Sequence, residues 1–215
     1  MKFFFNLTKT ARKTEVLTND EEELLRALSI DNELGLAIKS RTNNKIEKLY
    51  EVQEFDDYTE DPKLRGIKSV INEKVTMPSL YDNVKELQSN FTFKDYHIFA
   101  CGNFGSDKDY FIGALKTRDK FECLRIFETN GINYNLETQD IILFFQKWDS
   151  QARFSIIDAY IDRVIIQLAD FDFDLDTFAK EALEFCPDFL SAVENEDQLK
   201  QYILDRNGEV DFWWD

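Results

Sequence analysis

The hydrophobic and polar positions in the second half of the chain predict short strands separated by helices. Residues 95–104 (DYHIFACGNF) and 109–116 (DYFIGALK) are apolar runs on either side of a polar turn, GSDK, and predict one pair of strands. Residues 153–160 (RFSIIDAY) and 163–173 (RVIIQLADFDF) predict a second pair. The stretch 209–215 (EVDFWWD) alternates with a period of two and predicts a final strand.

Apolar residues spaced three and four apart predict four helices in the same half. The first of these helices is expected to end at Gly131 and the last at Gly208, because glycine accepts the left-handed conformation that ends many helices. A proline follows the third helix and helps to stop it. The four segments are 117–131 (TRDKFECLRIFETNG), 135–152 (NLETQDIILFFQKWDSQA), 175–186 (LDTFAKEALEFC) and 195–208 (NEDQLKQYILDRNG).

The first 90 residues carry fewer clear signals. Thr18, followed by Glu21 and an apolar run, forms a capping-box pattern that predicts a helix near 19–29. The other predicted segments are a strand in 1–13, two strands around a polar turn in 34–52, an acidic linker-like stretch in 54–63, and a helix with a proline near its start in 77–90.

The order of these elements predicts an α+β fold, with a mixed, mostly antiparallel sheet and helices packed on one face of it. We divide the chain into an N-terminal helix and hairpin region, residues 1–90, and a C-terminal α+β domain, residues 91–215. In the terminal strand, Phe212 and Trp214 share a face that we expect to be buried. Trp213 lies on the opposite face, where it is expected at the sheet edge or at a surface site.

Composition indicates a folded chain outside the membrane. Hydrophobic residues make up 43% of the sequence, aromatic residues 14% and charged residues 32%, and the apolar runs are far shorter than the ~20 residues of a spanning helix. The start of the chain does not resemble a secretory signal. Cys101, Cys123 and Cys186 are odd in number and lack paired spacing, so no disulfide framework is expected. We therefore predict a cytoplasmic protein.

The net charge of −16 is concentrated toward the C-terminus. Residues 1–90 carry a net charge of −3 and residues 91–215 a net charge of −13, and from Asp170 onward there are 14 acidic and 3 basic residues. Nucleic acid is not expected as a partner, because phosphate binding needs the opposite sign, and no membrane contact is expected. A protein partner with a basic surface fits, with Asp170, Asp172 and Asp174 as an acidic steering surface. Alternatively, the charge only maintains solubility.

Several short motifs in the second half resemble a known family. They are 129–134 (TNGINY), 140–142 (DII), 147–148 (KW), 184–188 (EFCPD) and 213–215 (WWD). Their order is similar to that in the domain of unknown function 4253 family, over about residues 95–215. The resemblance implies a small bacterial cytoplasmic protein and an association with toxin–immunity neighbourhoods, but no activity. The family's Val-Gln-Gly segment after Cys-Pro-Asp is absent, so no role of its Gln or Gly carries over.

Nucleophilic catalysis would have to involve the single histidine, His97. Cys101 is four positions further on, which places it roughly 13 Å away along a strand and out of hydrogen-bond reach. The glycines of 101–108 (CGNFGSDK) lack P-loop spacing and predict a turn. We interpret His97 as a hydrogen-bonded strand residue, and we expect no catalytic group and no cofactor.

The stretch 170–181 (DFDFDLDTFAKE) has acidic residues at the offsets of a calcium-binding loop. Its sixth position is Leu175, where the sharp turn of such a loop needs glycine. Phe171 and Phe173 alternate with the acids as in a half-buried strand, and Asp176 is suited to cap the next helix. We therefore expect a strand followed by a helix, and no metal site.

The remaining candidates for a partner-binding or ligand-binding site are Cys186, Asp188, Trp213 and Asp215. In a structural interpretation, Cys186 is a small buried residue, Pro187 ends a helix and Asp188 caps the next turn. In a functional interpretation, these residues form an acidic and aromatic groove for a basic partner. The leading hypothesis is a non-enzymatic protein-binding module, an immunity protein that blocks a basic toxin. The alternative is a carboxylate-based or metal-assisted enzyme with Asp188 and Asp215 in a Trp-lined cleft.

Overall fold

A mixed seven-stranded sheet runs through the residues that the computed structural model describes, 15–52, 62–71, 76–102 and 110–214. The strands are β1 Glu47–Tyr50, β2 Leu64–Val70, β3 His97–Cys101, β4 Phe111–Leu115, β5 Phe154–Tyr160, β6 Arg163–Leu168 and β7 Glu209–Trp213. Their order across the sheet is β1-β2-β4-β3-β5-β6-β7. Neighbouring strands are antiparallel except β3 and β5, which run parallel.

Helices of very different lengths accompany this sheet. The α+β class and the mostly antiparallel sheet are confirmed. Within the described ranges, no helix is both long and apolar enough to cross a membrane. The α-helices are α1 Asn19–Ala27, α2 Asn32–Thr42, α3 Met77–Phe91, α4 Glu122–Ile126, α5 Thr138–Asp149, α6 Leu175–Phe185 and α7 Glu196–Asp205, and the 3-10 helices are Thr92–Lys94, Ile132–Tyr134 and Pro187–Ser191.

Helices cover both faces of the sheet, so the prediction of helices on one face was wrong. In β3, Ile98 and Ala100 pack into a core with α1, α2 and α3, whereas Phe99 and Cys101 pack into a second core with α4, α5, α6 and α7. Every residue of β3 is buried, as expected for a strand covered on both sides. The error arose because α2 was interpreted as a strand, which left too few helices for a second layer.

Helix α2 forms where a strand was predicted because it packs tightly against α1. Leu34 and Ile38, four residues apart on one side of α2, are fully buried. A Cβ atom at Gly35 would lie 2.6 Å from Cδ1 of Leu25 on α1, so glycine permits this close approach. The helix ends at Thr42 and is capped by Asn43, whose φ of 52° is left-handed, a conformation that asparagine tolerates. The second strand predicted in this stretch is present as β1.

The remaining predictions for the first half of the chain are confirmed in part and otherwise fall outside the described residues. Thr18 and Glu21 form the predicted capping box, with the Thr18 N–H donating to Glu21 Oε2 at 2.7 Å and the Glu21 N–H donating to Thr18 Oγ1 at 3.3 Å. The helix predicted over 77–90 is α3. The strand in 1–13, the GSDK turn and most of 54–63 lie outside the described residues. Strands β1 and β2 share the sheet with all later strands, and the division of the chain at residue 90 stays a prediction.

The helix predicted over 117–131 is much shorter in the structure. Helix α4 ends at Ile126, and the left-handed residue that follows is Glu128, with φ of 49°. Gly131 has an ordinary φ of −123° and is not a helix cap. A Cβ atom on Gly131 would lie 2.9 Å from Cγ of Trp214. Glycine is therefore needed at this position for the approach of the tryptophan ring.

The final strand, β7, is held by its apolar face. Phe212 and Trp214 are buried as predicted, with Trp214 only 3% exposed, whereas Trp213 is half-buried on the other side. The ring of Phe212 meets that of Phe145 edge-on at a centroid distance of 5.1 Å. Burial of each ring contributes about 2–3 kcal/mol, which offsets the conformational entropy lost when the strand becomes ordered.

The two tryptophans should differ in their effect on stability. Trp214→Ala is expected to lower the free energy of unfolding by about 3–5 kcal/mol, because it removes a ring that lies in the core. Trp213→Ala is the matched control and should cost about 1–2 kcal/mol, since its ring is partly solvated. Urea denaturation followed by circular dichroism measures both losses. Equal losses would contradict the assignment of Trp214 to the core and Trp213 to the edge.

Candidate functional site

Three of the sequence motifs that resemble a family, TNGINY, EFCPD and WWD, are joined by side-chain hydrogen bonds near the outer strand β7. Tyr134 closes the 3-10 helix Ile132–Tyr134, and its hydroxyl donates a hydrogen bond to Asp188 Oδ1 at 2.6 Å. Asp188 is the second residue of the 3-10 helix Pro187–Ser191, directly after α6. The TNGINY and EFCPD motifs are therefore joined by a hydrogen bond between side chains 54 positions apart.

The cysteine and the tryptophans of these motifs are joined in a similar way. The buried thiol of Cys186 donates to the backbone carbonyl of Trp213 at 2.9 Å. The indole N–H of Trp214 donates to the carbonyl of Phe185 at 3.3 Å, and the two rings meet edge-on with centroids 5.8 Å apart. These contacts fasten the end of α6 to β7.

The segment after Cys186 also covers the side of an edge strand. Strand β7 is the last strand of the sheet, and an exposed sheet edge presents unpaired backbone groups that favour aggregation. The ring of Phe189 lies 5.2 Å from Phe212 and 5.4 Å from Trp213, measured between centroids. The 3-10 helix and Trp213 thus pack together beside this edge.

The C-terminal region, which carries these motifs, matches a known family model. Residues 111–215 match the family model of the domain of unknown function (DUF4253). The predicted resemblance is confirmed, with the matched region starting at β4 rather than near residue 95. Comparisons with the curated proteins and with the solved structures found no match. The family description assigns no activity, so the contacts and charges of this chain are the basis for its proposed function.

The DUF4253 region brings together three of the four predicted ligand-binding residues. Cys186 bonds to the backbone of Trp213, and Asp188 lies two residues beyond Cys186 and accepts the Tyr134 hydroxyl. Burial raises the pKa of Cys186 to about 12, so its thiol stays protonated near neutral pH and serves as a donor rather than a nucleophile. Asp215 lies outside the described residues, and its pairing with Asp188 stays a prediction.

The predicted steering surface lies in a loop before α6 rather than in a strand. Strand β6 ends at Leu168, so the prediction that it continues to residue 173 was wrong. Asp170 pairs with Arg153, and the backbone N–H of Asp172 donates to Asp170 Oδ1 at 3.3 Å. This local hydrogen bond folds the loop back on itself, a conformation that competes with a strand. The alternation of acids and phenylalanines therefore did not indicate β-structure.

Helix α6 is capped by Asp174, and not by Asp176 as predicted. Asp174 Oδ1 accepts the N–H of Thr177 at 3.0 Å, and the hydroxyl and N–H of Thr177 hold the pKa of Asp174 below its usual range. Asp176 is 74% exposed and pairs with Lys200 of α7. Asp176, together with Asp197 and Asp174, raises the pKa of Lys200. We refer to the exposed residues Asp172, Asp174, Asp176 and Asp197 as the acidic face.

His97 is buried in β3. Its ring stacks on Phe99 with centroids 5.5 Å apart. Its Nε2 atom has no hydrogen-bond partner within the described ranges, so the prediction that this histidine is hydrogen-bonded was wrong for that atom. Burial lowers the pKa of His97 to about 4, which keeps the imidazole neutral at physiological pH. Across the described residues, no group of three His, Cys, Asp or Glu side chains could hold a metal ion.

A groove of about 960 Å³ lies beside the loop that holds Tyr134. Its described lining mixes apolar and polar residues, and Ile132 in this lining is 79% exposed. The guanidinium of Arg125 already pairs with two acidic side chains. Among the described residues, the lining includes two glutamates and no histidine, cysteine, aspartate or lysine. The groove therefore presents a mixed apolar and polar surface to solvent.

A cluster of polar side chains that the sequence analysis missed lies beneath α3. The Tyr81 hydroxyl on α3 donates to Asp158 Oδ2 on β5 at 2.8 Å. Arg163 on β6 donates from Nη2 to the Tyr81 hydroxyl at 3.1 Å. Its Nε and Nη2 also donate to the two carboxylate oxygens of Asp211 on β7 at 2.8 and 2.9 Å. We refer to these four residues as the Asp158 cluster.

A β-bulge turns Asp158 toward α3. Where β5 pairs with β6, Ile156 lies opposite Ile166 and Asp158 lies opposite Ile165, so Ile157 is an extra residue in β5. A bulge of this kind changes the alternation of side chains along a strand. Asp158 consequently shares the side of Ile165, which belongs to the core beneath α1, α2 and α3.

The Asp158 cluster holds two carboxyl groups for one guanidinium. Asp158 is 1% exposed, and burial raises its pKa to about 7, although Arg163 and Tyr81 oppose this rise. Burial also raises the pKa of Asp211, against the effect of Arg163. Asp211 is half-buried. Since two carboxyl groups that share one guanidinium ionise together only at a cost, the cluster holds a proton at mildly acidic pH.

The sequence contains a weak signal of this cluster. Asp158 interrupts the apolar strand RFSIIDAY, and Asp211 stands between two buried residues of β7. A charged residue in a buried strand needs a polar partner. That partner could not be found from the sequence, because Tyr81 lies 77 positions away from Asp158.

The hydrogen bond between Tyr134 and Asp188 should contribute to stability. Tyr134→Phe and Asp188→Asn, made singly and together, are expected to show a coupling free energy of about 1–2 kcal/mol in chemical denaturation. Tyr50→Phe is the control, because Tyr50 is 40% exposed and its hydroxyl should be dispensable. Additive effects of Tyr134→Phe and Asp188→Asn would show that the two motifs are not coupled through this bond.

The three thiols should be unreactive in the folded protein. Cys101, Cys123 and Cys186 are all buried, and burial raises the pKa of each thiol. We expect their reaction with a chromogenic disulfide reagent at pH 8 to be about a hundredfold slower than in guanidinium chloride. In the denaturant, three thiols should react. Rapid labelling of any one thiol in the native protein would contradict its burial.

Proposed function

We propose that the protein is a non-enzymatic module of the bacterial cytoplasm that binds another protein with a basic surface. Within this proposal, it acts as an immunity protein that blocks a toxin sterically and electrostatically. The observation that supports it best is the acidic face, in which three carboxylates act on the single ammonium group of Lys200. This face keeps a net negative charge at neutral pH.

The acidic face is well placed to meet a partner. Its carboxylates lie at the starts of α6 and α7, on the outer side of helices whose opposite sides, through Phe178 and Leu199, enter the core. The acids at 172, 174, 176 and 197 are all exposed. Asp174 also caps α6, so the positions at which charge can be changed without affecting a cap or the core are Asp176 and Asp197.

The physical role of this face is to raise the rate of encounter. Exposed charges act over about one Debye length, ~8 Å at physiological ionic strength. A surface of one sign can raise the association rate with an oppositely charged protein by about tenfold or more. The polar contacts formed on docking then cover the partner's basic surface, which is how an immunity protein would block it.

The binding proposal predicts an association rate that depends on salt and on the acidic face. The partner is first captured from native extract at 50 mM salt and identified, and its association with the purified protein is then measured at 50 and 500 mM salt. We expect the rate to fall at least about tenfold at the higher salt. Neutralising two acids, in the double variant Asp176→Asn with Asp197→Asn, should slow association about fivefold at 50 mM salt.

A matched control separates the acidic face from net charge. Glu23→Gln with Asp82→Asn also removes two negative charges, from exposed positions on α1 and α3 on the opposite face of the sheet. This control variant should change the association rate less than about twofold. A rate that is independent of salt, or equal effects of the two double variants, would overturn the electrostatic mechanism. Failure of co-expression to relieve the partner's toxicity would overturn the immunity role.

A further inference from the structure

We propose that the Asp158 cluster is a proton-controlled link between α3 and the strands β5, β6 and β7. The link is tight while the cluster holds its proton and looser once that proton is lost. Helix α3 precedes the DUF4253 region, whereas the three strands belong to it. The cluster therefore controls how firmly an element from outside the DUF4253 region is held to that region's sheet.

Helix α3 is attached to the sheet through a line of polar side chains on one side of the helix. Tyr81, Lys85 and Gln88 are spaced by four and three residues, which places them on one face. Lys85 pairs with Glu209 at 3.3 Å. Gln88 donates to the carbonyls of Ile98 and Ile156 at 2.6 and 2.8 Å. Tyr81 supplies the third attachment, and it is the one that ends on a buried carboxyl group.

The charges around Asp158 do not balance once it ionises. From α3 it is faced by the Tyr81 hydroxyl, from β6 by Arg163 and from β7 by Asp211. The thiols of Cys101 and Cys123 also act near it, and burial keeps both protonated.

Glu209 and Arg206 act on Asp211 in opposite directions, because the carboxylate of Glu209 raises the pKa of Asp211 and the guanidinium of Arg206 lowers it. Glu209 itself pairs with Lys85 and with Arg206. Arg163 is shared between two carboxyl groups, so loss of the proton leaves an additional negative charge on the buried side chain of Asp158.

Movement of α3 is the way to relieve this charge. Tyr81 covers the carboxyl group of Asp158, so water reaches that group when the ring moves away with α3. In the closed state the pKa of Asp158 is about 7, against an ordinary value of 3.8. Between these two pH values the closed state binds more protons than the open state, so opening becomes easier as pH rises and levels off above pH 7.

Hydrogen exchange of the α3 amides in the full chain tests the link. After correction for the intrinsic pH dependence of exchange, we expect the opening constant of α3 to rise about tenfold between pH 6 and pH 8.5. The amides of α5, on the opposite face of the sheet, serve as an internal reference. Asp158→Asn, which keeps a neutral side chain of similar shape, should remove the rise in α3.

The control variant is Asp162→Asn. Asp162 is exposed in the turn between β5 and β6, so this variant should behave like the parent protein. His97 is present in every variant and faces the other core, so its own titration cancels in the comparison. The proposal is overturned if Asp158→Asn keeps the rise in the α3 opening constant, or if α5 shows the same rise as α3.

An infrared measurement tests the same inference without relying on the folding of Asp158→Asn. The parent protein and Asp162→Asn should both show the carbonyl band of a protonated carboxyl group at pH 6, and the band should disappear by pH 8.5. If no such band is present at pH 6, the cluster holds no proton and the proposal fails. This test is independent of whether the acidic face binds a partner.

Discussion

Burial of both faces of one sheet is the constraint on which the rest of the structure depends. The parallel neighbours β3 and β5 lie at its centre, and successive residues of β3 enter opposite cores. Each position on such a strand must be apolar or must meet a polar partner, because there is no solvated face to receive a charged group. The layer α1–α3 covers one face of the sheet, and the layer α4–α7 covers the other.

The polar groups that remain inside show how this constraint is met. Asp158 would be unfavourable in a doubly covered strand, and a bulge turns it to the side where Tyr81 and Arg163 supply hydrogen bonds. His97 meets the constraint differently, because its ring stacks on Phe99 and remains neutral. The first solution retains a titratable proton within a network that joins α3 to the sheet, which is why it can respond to pH.

The family motifs have a different physical role from the acidic face. Hydrogen bonds and aromatic contacts among Tyr134, Asp188, Cys186 and the terminal tryptophans hold the outer strand and the segment beside it. This arrangement is in keeping with the structural interpretation of Cys186, Pro187 and Asp188. The surface that we propose for a partner is formed instead by the starts of α6 and α7, where exposed carboxylates take no part in the core.

The sequence by itself determined the elements whose signals are local. The Thr18–Glu21 capping box, the alternation of β7, the apolar face of α5 and the prolines next to α3 and α6 are local signals, so these elements were predicted. The family resemblance was also predicted, from short motifs. Helix α2 was not predicted, because Gly35 favours a helix at this position only through its close packing against Leu25, which the sequence does not show.

Only the tertiary structure decided which distant residues meet. It placed Gly131 against Trp214, Tyr134 against Asp188, and Tyr81 against Asp158. The two members of each pair lie far apart along the chain, and no local sequence pattern links them. Their association follows from the packing of two helical layers on one sheet, and for that reason the buried cluster could be recognised only in the folded protein.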